Sequence, residues 1–237
     1  MTNMANLYLV ATPLGNLGDL SPRAKEILEK VDFVLCEDSR VTQKLLNYFG
    51  IRTKTISYHH HTTAKKTREI LRLLEEGKNL ALVADAGTPG ISDPGHKLVR
   101  EAVKLLRERV RLVPVPGPSA LIAAASICGF PMDKFLFLGF PPAKNKRHKF
   151  FEQIKNSPYP VILYESPYKI EKTLKELPSE REIVVCRELT KIYETIYRGT
   201  PAKVLEEIKK DFAFSKRIKG EFVIVISTSS LKGKEQN

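Results

Sequence analysis

The sequence predicts an α/β protein made of two domains, each a sheet covered by helices on both faces. Three observations predict it. Short apolar runs alternate with segments of helical period along almost the whole of the 237 residues. The spacing between runs leaves room for crossover helices, which parallel or mixed sheets require. The alternation passes once through Pro114-Val115-Pro116-Gly117-Pro118, where three prolines and a glycine in five residues make a stiff, directed connection. A hinge is placed there, with an N-terminal domain over 1–116, a C-terminal domain over 117–229 and a frayed tail over 230–237.

In order, Leu7 to Ala11 reads as a strand. Ser21-Pro22 opens a helix whose Ala24, Ile27, Leu28 and Val31 share a face. Phe33 to Cys36 is a second strand, followed by a helix from Val41 to Phe49 closed by Gly50. Thr53 to Ser57 is a third strand. A helix beginning at Thr62 carries Ile70, Leu71 and Leu74 and ends at Gly77. Leu80 to Ala84 is a fourth strand, Asp93 to Arg109 a helix and Arg111 to Val115 a fifth strand. Beyond the hinge, a helix from Pro118 to Ile127 precedes strands near Phe135 to Leu138, Val161 to Tyr164, Ile183 to Cys186 and Phe222 to Ser227. Helices are placed near Arg147 to Ile154, Pro167 to Leu177 and Pro201 to Lys209, with Ser166-Pro167 and Thr200-Pro201 as cap-plus-proline starts.

The segment Val83 to Gly95 is the most informative. An apolar strand runs directly into a loop carrying three Gly, two Pro and two Asp, and Asp93-Pro94 then reads as N-cap and first helical residue. An ordinary strand-to-helix turn needs two to six residues. So many special backbone positions at the carboxyl end of a strand suit close approach of the main chain to a ligand.

Composition narrows the class. Apolar residues make up 42 %, enough for a packed core. The sequence shows no apolar run of membrane-spanning length and no signal peptide at its start, so a cytoplasmic protein is expected. Cys36, Cys128 and Cys186 are far apart and form neither a disulfide framework nor a zinc pattern. The formal charge of +12, from 39 Lys+Arg against 27 Asp+Glu, favours a polyanionic partner. A lysine-rich solubility surface is the alternative.

Several familiar chemistries are missing. The first strand turn, Ala11 to Asp19, lacks GxGxxG, so Glu37-Asp38 at the end of the second strand carries little as a ribose-binding acid of a dinucleotide fold. P-loop, zincin and nucleophile-elbow patterns are absent. His59-His60-His61 cannot all face one ion on regular structure, so no metal site is expected. The densest basic run is Pro141 to Lys149. Its Lys144, Lys146, Arg147 and Lys149 are candidate contacts for a polyanion such as RNA, with a solvated helix face as the alternative. For Lys65, Lys66, Arg68 and Arg72 a solvated helix face is an equal alternative.

The Pro13 turn, Ala86-Gly87-Thr88-Pro89, Pro116-Gly117-Pro118-Ser119-Ala120 and Tyr164-Glu165-Ser166-Pro167, in this order, resemble the tetrapyrrole-methylase superfamily. Glu37-Asp38-Ser39-Arg40, Arg187-Glu188-Leu189-Thr190-Lys191 and Gly220-Glu221-Phe222-Val223 resemble its ribosomal RNA branch. That resemblance, over residues 6–228, implies the class III methyltransferase fold, two α/β/α domains with S-adenosylmethionine in the cleft between them. It implies cofactor contacts at Pro13, Ala86, Gly87, Thr88, Ile91, Ser119 and Ala120, completed by Tyr164 and Glu165. It implies methylation of a cytidine ribose 2′-hydroxyl in the decoding region of the 16S rRNA of the small subunit, by a homodimer. The central loop reads Gly87-Thr88-Pro89 where tetrapyrrole-modifying members carry Gly-Asp-Pro.

For such a reaction the hydroxyl needs a proton acceptor. Asp85, Glu165 and Glu188 are the candidates, with Lys191 as electrostatic partner; a surface ion pair or helix cap is the alternative for each acid. Glycine-loop amides and a helix N-terminus suit the donor's carboxylate, and Ile91 suits the adenine face. A tetrapyrrole substrate on the same fold, or RNA binding without catalysis, are the competing readings.

Overall fold

The computed structural model describes residues 4–215 and 217–228. The expected frayed tail, 230–237, lies outside them. The chain divides into two compact units between Ser119 and Ala120.

The N-terminal unit contains β1 (Ala5–Val10), α1 (Pro22–Lys30), β2 (Phe33–Cys36), α2 (Ser39–Tyr48), β3 (Lys54–Ser57), α3 (Ala64–Glu75), β4 (Leu80–Leu82), α4 (Gly95–Leu106) and β5 (Val110–Val115). The five strands form one parallel sheet in the order β3-β2-β4-β1-β5. Leu7 of β1 lies beside Leu80 of β4 and Leu112 of β5. One face buries Ile70, Leu71 and Leu74 of α3 with Leu98, Ala102 and Leu106 of α4. The other buries Ala24 and Leu28 of α1 with Leu46 of α2. Burial on both faces explains why β2 and β4 read as unbroken apolar runs. Pro114 sits inside β5 without cost to the ladder, because β5 is an edge strand paired only with β1.

The C-terminal unit contains α5 (Ala120–Ile127), β6 (Leu136–Gly139), α6 (Arg147–Lys155), β7 (Val161–Glu165), α7 (Ile170–Glu176), β8 (Ile183–Arg187), β9 (Thr195–Gly199), α8 (Pro201–Asp211) and β10 (Phe222–Ile226). Its sheet is mixed, in the order β6-β7-β10-β8-β9. β10 runs antiparallel to both β7 and β8. Alternation is strict. Val161 and Leu163, Ile183 and Val185, and Phe222, Ile224 and Ile226 pack with Ile170 and Leu174 of α7 and Val204, Leu205 and Ile208 of α8. Helix α5 contacts β7 and β10.

Four expectations are corrected. Helix α4 starts at Gly95, not Asp93, because the Asp93 carboxylate folds back to close the preceding loop. Helix α3 starts at Ala64, capped by Thr63, because the Thr62 hydroxyl accepts the His59 N–H at 2.8 Å and closes the histidine turn. Helix α7 starts at Ile170, because Pro167 lies in a turn whose Lys169 and Ile170 N–H groups both donate to the Ser166 carbonyl at 3.1 Å. Strand β9 was not anticipated. It is an edge strand paired only with β8, and only its Tyr197 is fully buried, so it lacks an apolar run.

Candidate functional site

The ends of β1 and β4 are stitched together. Thr12 N–H donates to the Gly87 carbonyl at 2.9 Å, and Gly87 N–H returns to the Thr12 carbonyl at 3.0 Å. The buried Thr12 hydroxyl donates to the Ala84 carbonyl at 3.1 Å, and Ala11 N–H to that of Val115 at 3.2 Å. Three neighbouring strand ends are thereby locked to one another. Gly87 has φ +80°, and an added Cβ would meet Leu14 Cδ2 at 3.2 Å and the Pro118 carbonyl at 3.7 Å. The Thr88 hydroxyl donates to that same carbonyl at 3.0 Å. The structure therefore brings Gly87 and Thr88 against the segment that leads into Ser119. Pro13 is buried, Ala86 and Ile91 are exposed, and Ser119 is half-buried.

Asp93 organises the far half of the loop. Its carboxylate accepts Gly90 N–H through both oxygens, at 2.9 and 2.7 Å, and Gly95 N–H at 2.7 Å. The amides of Gly87, Gly90 and Gly95 all have protein acceptors, so these three glycines shape the loop.

The adjoining strand end is acidic. Asp85 is exposed, and its Oδ1 accepts the Asp38 N–H at 3.0 Å, tying the loop after β2 to the loop after β4. Asp38 caps α2 through Arg40 N–H and grips the Arg40 guanidinium. Those Arg40 hydrogen bonds hold its carboxyl down to about 2. Glu37 behaves oppositely. Burial first, then the charges of Asp93 and Asp85, push it up to about 7.

In the C-terminal unit, Tyr164 is half-buried, its ring edge-on to Phe137 at 5.0 Å and Phe140 at 5.6 Å. Burial pushes its phenol up, against a hydrogen bond from the Leu121 main chain in the first turn of α5. Tyr164 and Ala120, the first residue of α5, thus belong to one neighbourhood. Glu165 is 3 % exposed. Its Oε1 accepts Ser166 N–H at 2.7 Å and its Oε2 the Thr173 hydroxyl at 2.6 Å. The proton-acceptor role expected for Glu165 is corrected accordingly: both oxygens are engaged inside the fold.

Arg147 is likewise turned inward. It is 6 % exposed, donates to Glu176 at 2.6 Å, the Pro142 carbonyl at 2.8 Å and Thr173 Oγ1 at 2.9 Å, and covers the Phe151 ring. It fastens α6 to α7 and is not an RNA contact. Lys144, Lys146 and Lys149 are exposed, as the basic run anticipated.

Glu188 and Lys191 are brought together at the end of β8. Lys191 Nζ donates to Glu188 Oε1 and Glu221 Oε2, both at 3.0 Å, and Glu221 N–H donates to Glu188 Oε1 at 2.9 Å. For Glu188, desolvation is outweighed by these hydrogen bonds and by Lys191, and its carboxyl is lowered. For Lys191, desolvation is outweighed by Glu188 and Glu221, and its ammonium is raised. Among the described residues no group of three His, Cys, Asp or Glu could hold a metal, and no helix is long and apolar enough to cross a membrane.

A parallel sheet with a glycine loop locked across its carboxyl edge, followed by a second mixed α/β unit, is the architecture of a class of methyl-transferring enzymes. The chain belongs to the tetrapyrrole (corrin/porphyrin) methylase family, whose model matches residues 6–205. It is 44 % identical to ribosomal RNA small subunit methyltransferase I of Synechocystis sp., over 94 % of this chain and 79 % of that one. The protein of the same name from Thermotoga maritima is 39 % identical over 94 % of this chain and 99 % of its own. Among solved structures, a cobalt precorrin-4 methyltransferase superposes with a TM-score of 0.65 at 20 % identity, covering 94 % of both chains.

Proposed function

We propose that the chain transfers the methyl group of S-adenosylmethionine to the ribose 2′-hydroxyl of a cytidine in the 16S rRNA of the small ribosomal subunit. The observation that carries this is likeness to the RNA-modifying relatives at 39–45 % identity along nearly the whole chain. The solved tetrapyrrole and cobalamin enzymes share the fold at 13–20 % identity. The +12 charge and the exposed Lys144, Lys146 and Lys149 suit a polyanion.

The donor is assigned to the stitched loop of the N-terminal unit, against Pro13, Ala86, Gly87, Thr88, Ile91 and Ser119. Ala120, Tyr164 and Glu165 are the candidates carried by the C-terminal unit. When bound, the donor supplies a methyl group already activated by positive sulfur. The protein's task is to align the hydroxyl oxygen with that methyl and to take its proton. Asp85 and Glu188 are the candidate acceptors for that proton, with Lys191 as electrostatic partner, in a cytoplasmic homodimer.

The test is methyl transfer from labelled donor to purified small subunits, with the modified ribose mapped by its resistance to alkaline cleavage. Label on a cytidine ribose supports the assignment. Transfer to uroporphyrinogen with none to subunits overturns it in favour of tetrapyrrole methylation.

A further inference from the structure

We propose that Glu37 is the catalytic residue that accepts the proton of the attacking hydroxyl. The inference rests on the methyl-transfer reading above and names the base that this reading leaves open.

The other candidate carboxylates are committed. Asp93 closes the loop onto Gly90 and Gly95. Asp38 is held by Arg40. Glu165 is buried with both oxygens engaged, and Glu188 is bonded to Lys191 and the Glu221 main chain. For Asp38 and Glu188 the hydrogen bonds to the charged form lower the carboxyl's proton affinity, which makes each a worse base. Asp85 keeps one oxygen free but stands exposed to water.

Glu37 has the opposite setting. It follows the last residue of β2, and β2 lies beside β4 in the sheet, with Leu35 paired to Leu82. It therefore stands at the carboxyl edge next to the strand that launches the donor loop. It is half-buried, and among the described residues no hydrogen bond or ion pair engages its carboxylate. The charged groups that act on it are Asp93 and Asp85, both acidic. Like charges and burial together favour the protonated form, raising it to about 7, where a carboxyl exchanges protons with a neutral solution.

The step balances. The hydroxyl O–H breaks and its proton passes to a Glu37 oxygen. The hydroxyl oxygen forms a bond to the methyl carbon, the carbon–sulfur bond breaks, and its electron pair stays on sulfur as neutral S-adenosylhomocysteine. Glu37 then returns the proton to water.

The experiment compares wild type, Glu37→Gln and Glu37→Asp on small subunits, with donor affinity measured by calorimetry. Wild-type kcat/KM is expected to rise with pH through an apparent pKa near 7, the value at which Glu37 is held. Glu37→Gln should lose about 100-fold or more in kcat. It should lose the ascending limb and keep donor affinity, which also shows that it has folded. Glu37→Asp should recover part of the rate. A Gln variant within a few-fold of wild type, with the limb intact, overturns the assignment to Glu37 alone. A wild type that binds donor but leaves RNA unmodified overturns the RNA reading, and the role of Glu37 with it.

Discussion

The Asp93 carboxylate grips the main-chain N–H of Gly90 through both of its oxygens, at 2.9 and 2.7 Å, while one of them also takes Gly95 N–H at 2.7 Å. One buried side chain thus anchors the central loop and the start of α4. Asp93→Ala would leave those amides without acceptors, at a cost of about 1–3 kcal/mol. The expected result is a lower melting temperature and weaker donor binding. Asp93→Asn, which keeps one acceptor oxygen, should lie between the two. Unchanged melting would show that water replaces the carboxylate.

Gly87 offers a separate probe of the same loop. Its φ of +80° disfavours any side chain, and the Leu14 methyl stands 3.2 Å from where a Cβ would lie. Gly87→Ala should cost about 1–2 kcal/mol from backbone conformation. If the donor lies against this loop, calorimetry should show loss of donor affinity exceeding the loss of stability. Equal donor affinity would place the donor elsewhere.

Within the basic run, the residues divide by burial. Arg147→Ala removes the buried guanidinium and its hydrogen bonds to Glu176, Pro142 and Thr173, and should destabilise by about 1–3 kcal/mol. Lys144→Ala, Lys146→Ala and Lys149→Ala should change stability by less than about 0.5 kcal/mol. If they meet phosphate, each should weaken RNA binding and lower the log–log salt slope by about one. Denaturant titration and filter binding at several salt concentrations separate the two behaviours.

Glu37 also makes stability depend on pH. Its ordinary value is 4.5, and the fold holds it at about 7. Between those values the folded state keeps a proton that the unfolded chain has released. Raising pH through this window therefore lowers stability, and the loss is complete above about 7. Glu37→Gln should melt higher than wild type at pH 8 and converge with it near pH 4. A constant difference across that range would mean that Glu37 titrates normally.

Much of the fold could be read directly from residue order. The apolar runs of β1, β2, β4, β7, β8 and β10 are visible because each strand is covered on both faces, so nearly every position in it is apolar. Strand β9 was invisible because an edge strand with one fully buried residue carries no such run. The loop from Val83 to Gly95 announced itself by its glycines and prolines, since those residues mark a backbone that ordinary side chains cannot follow.

The roles of the charged side chains were another matter. Asp93 read as a helix cap and proved to be the clasp of a loop. Arg147 read as one cation among several and proved to be a buried brace between α6 and α7. Glu37 was set aside for want of a dinucleotide fingerprint, and its half-buried place beside Asp85 and Asp93 is what gives it a proton affinity near neutrality. Residue order by itself determined which segments become strands and helices, because hydrophobic period and backbone restriction are local properties. Only the tertiary structure decided which carboxylate is paired and which is left to exchange a proton, because that depends on burial and on neighbours distant in the chain.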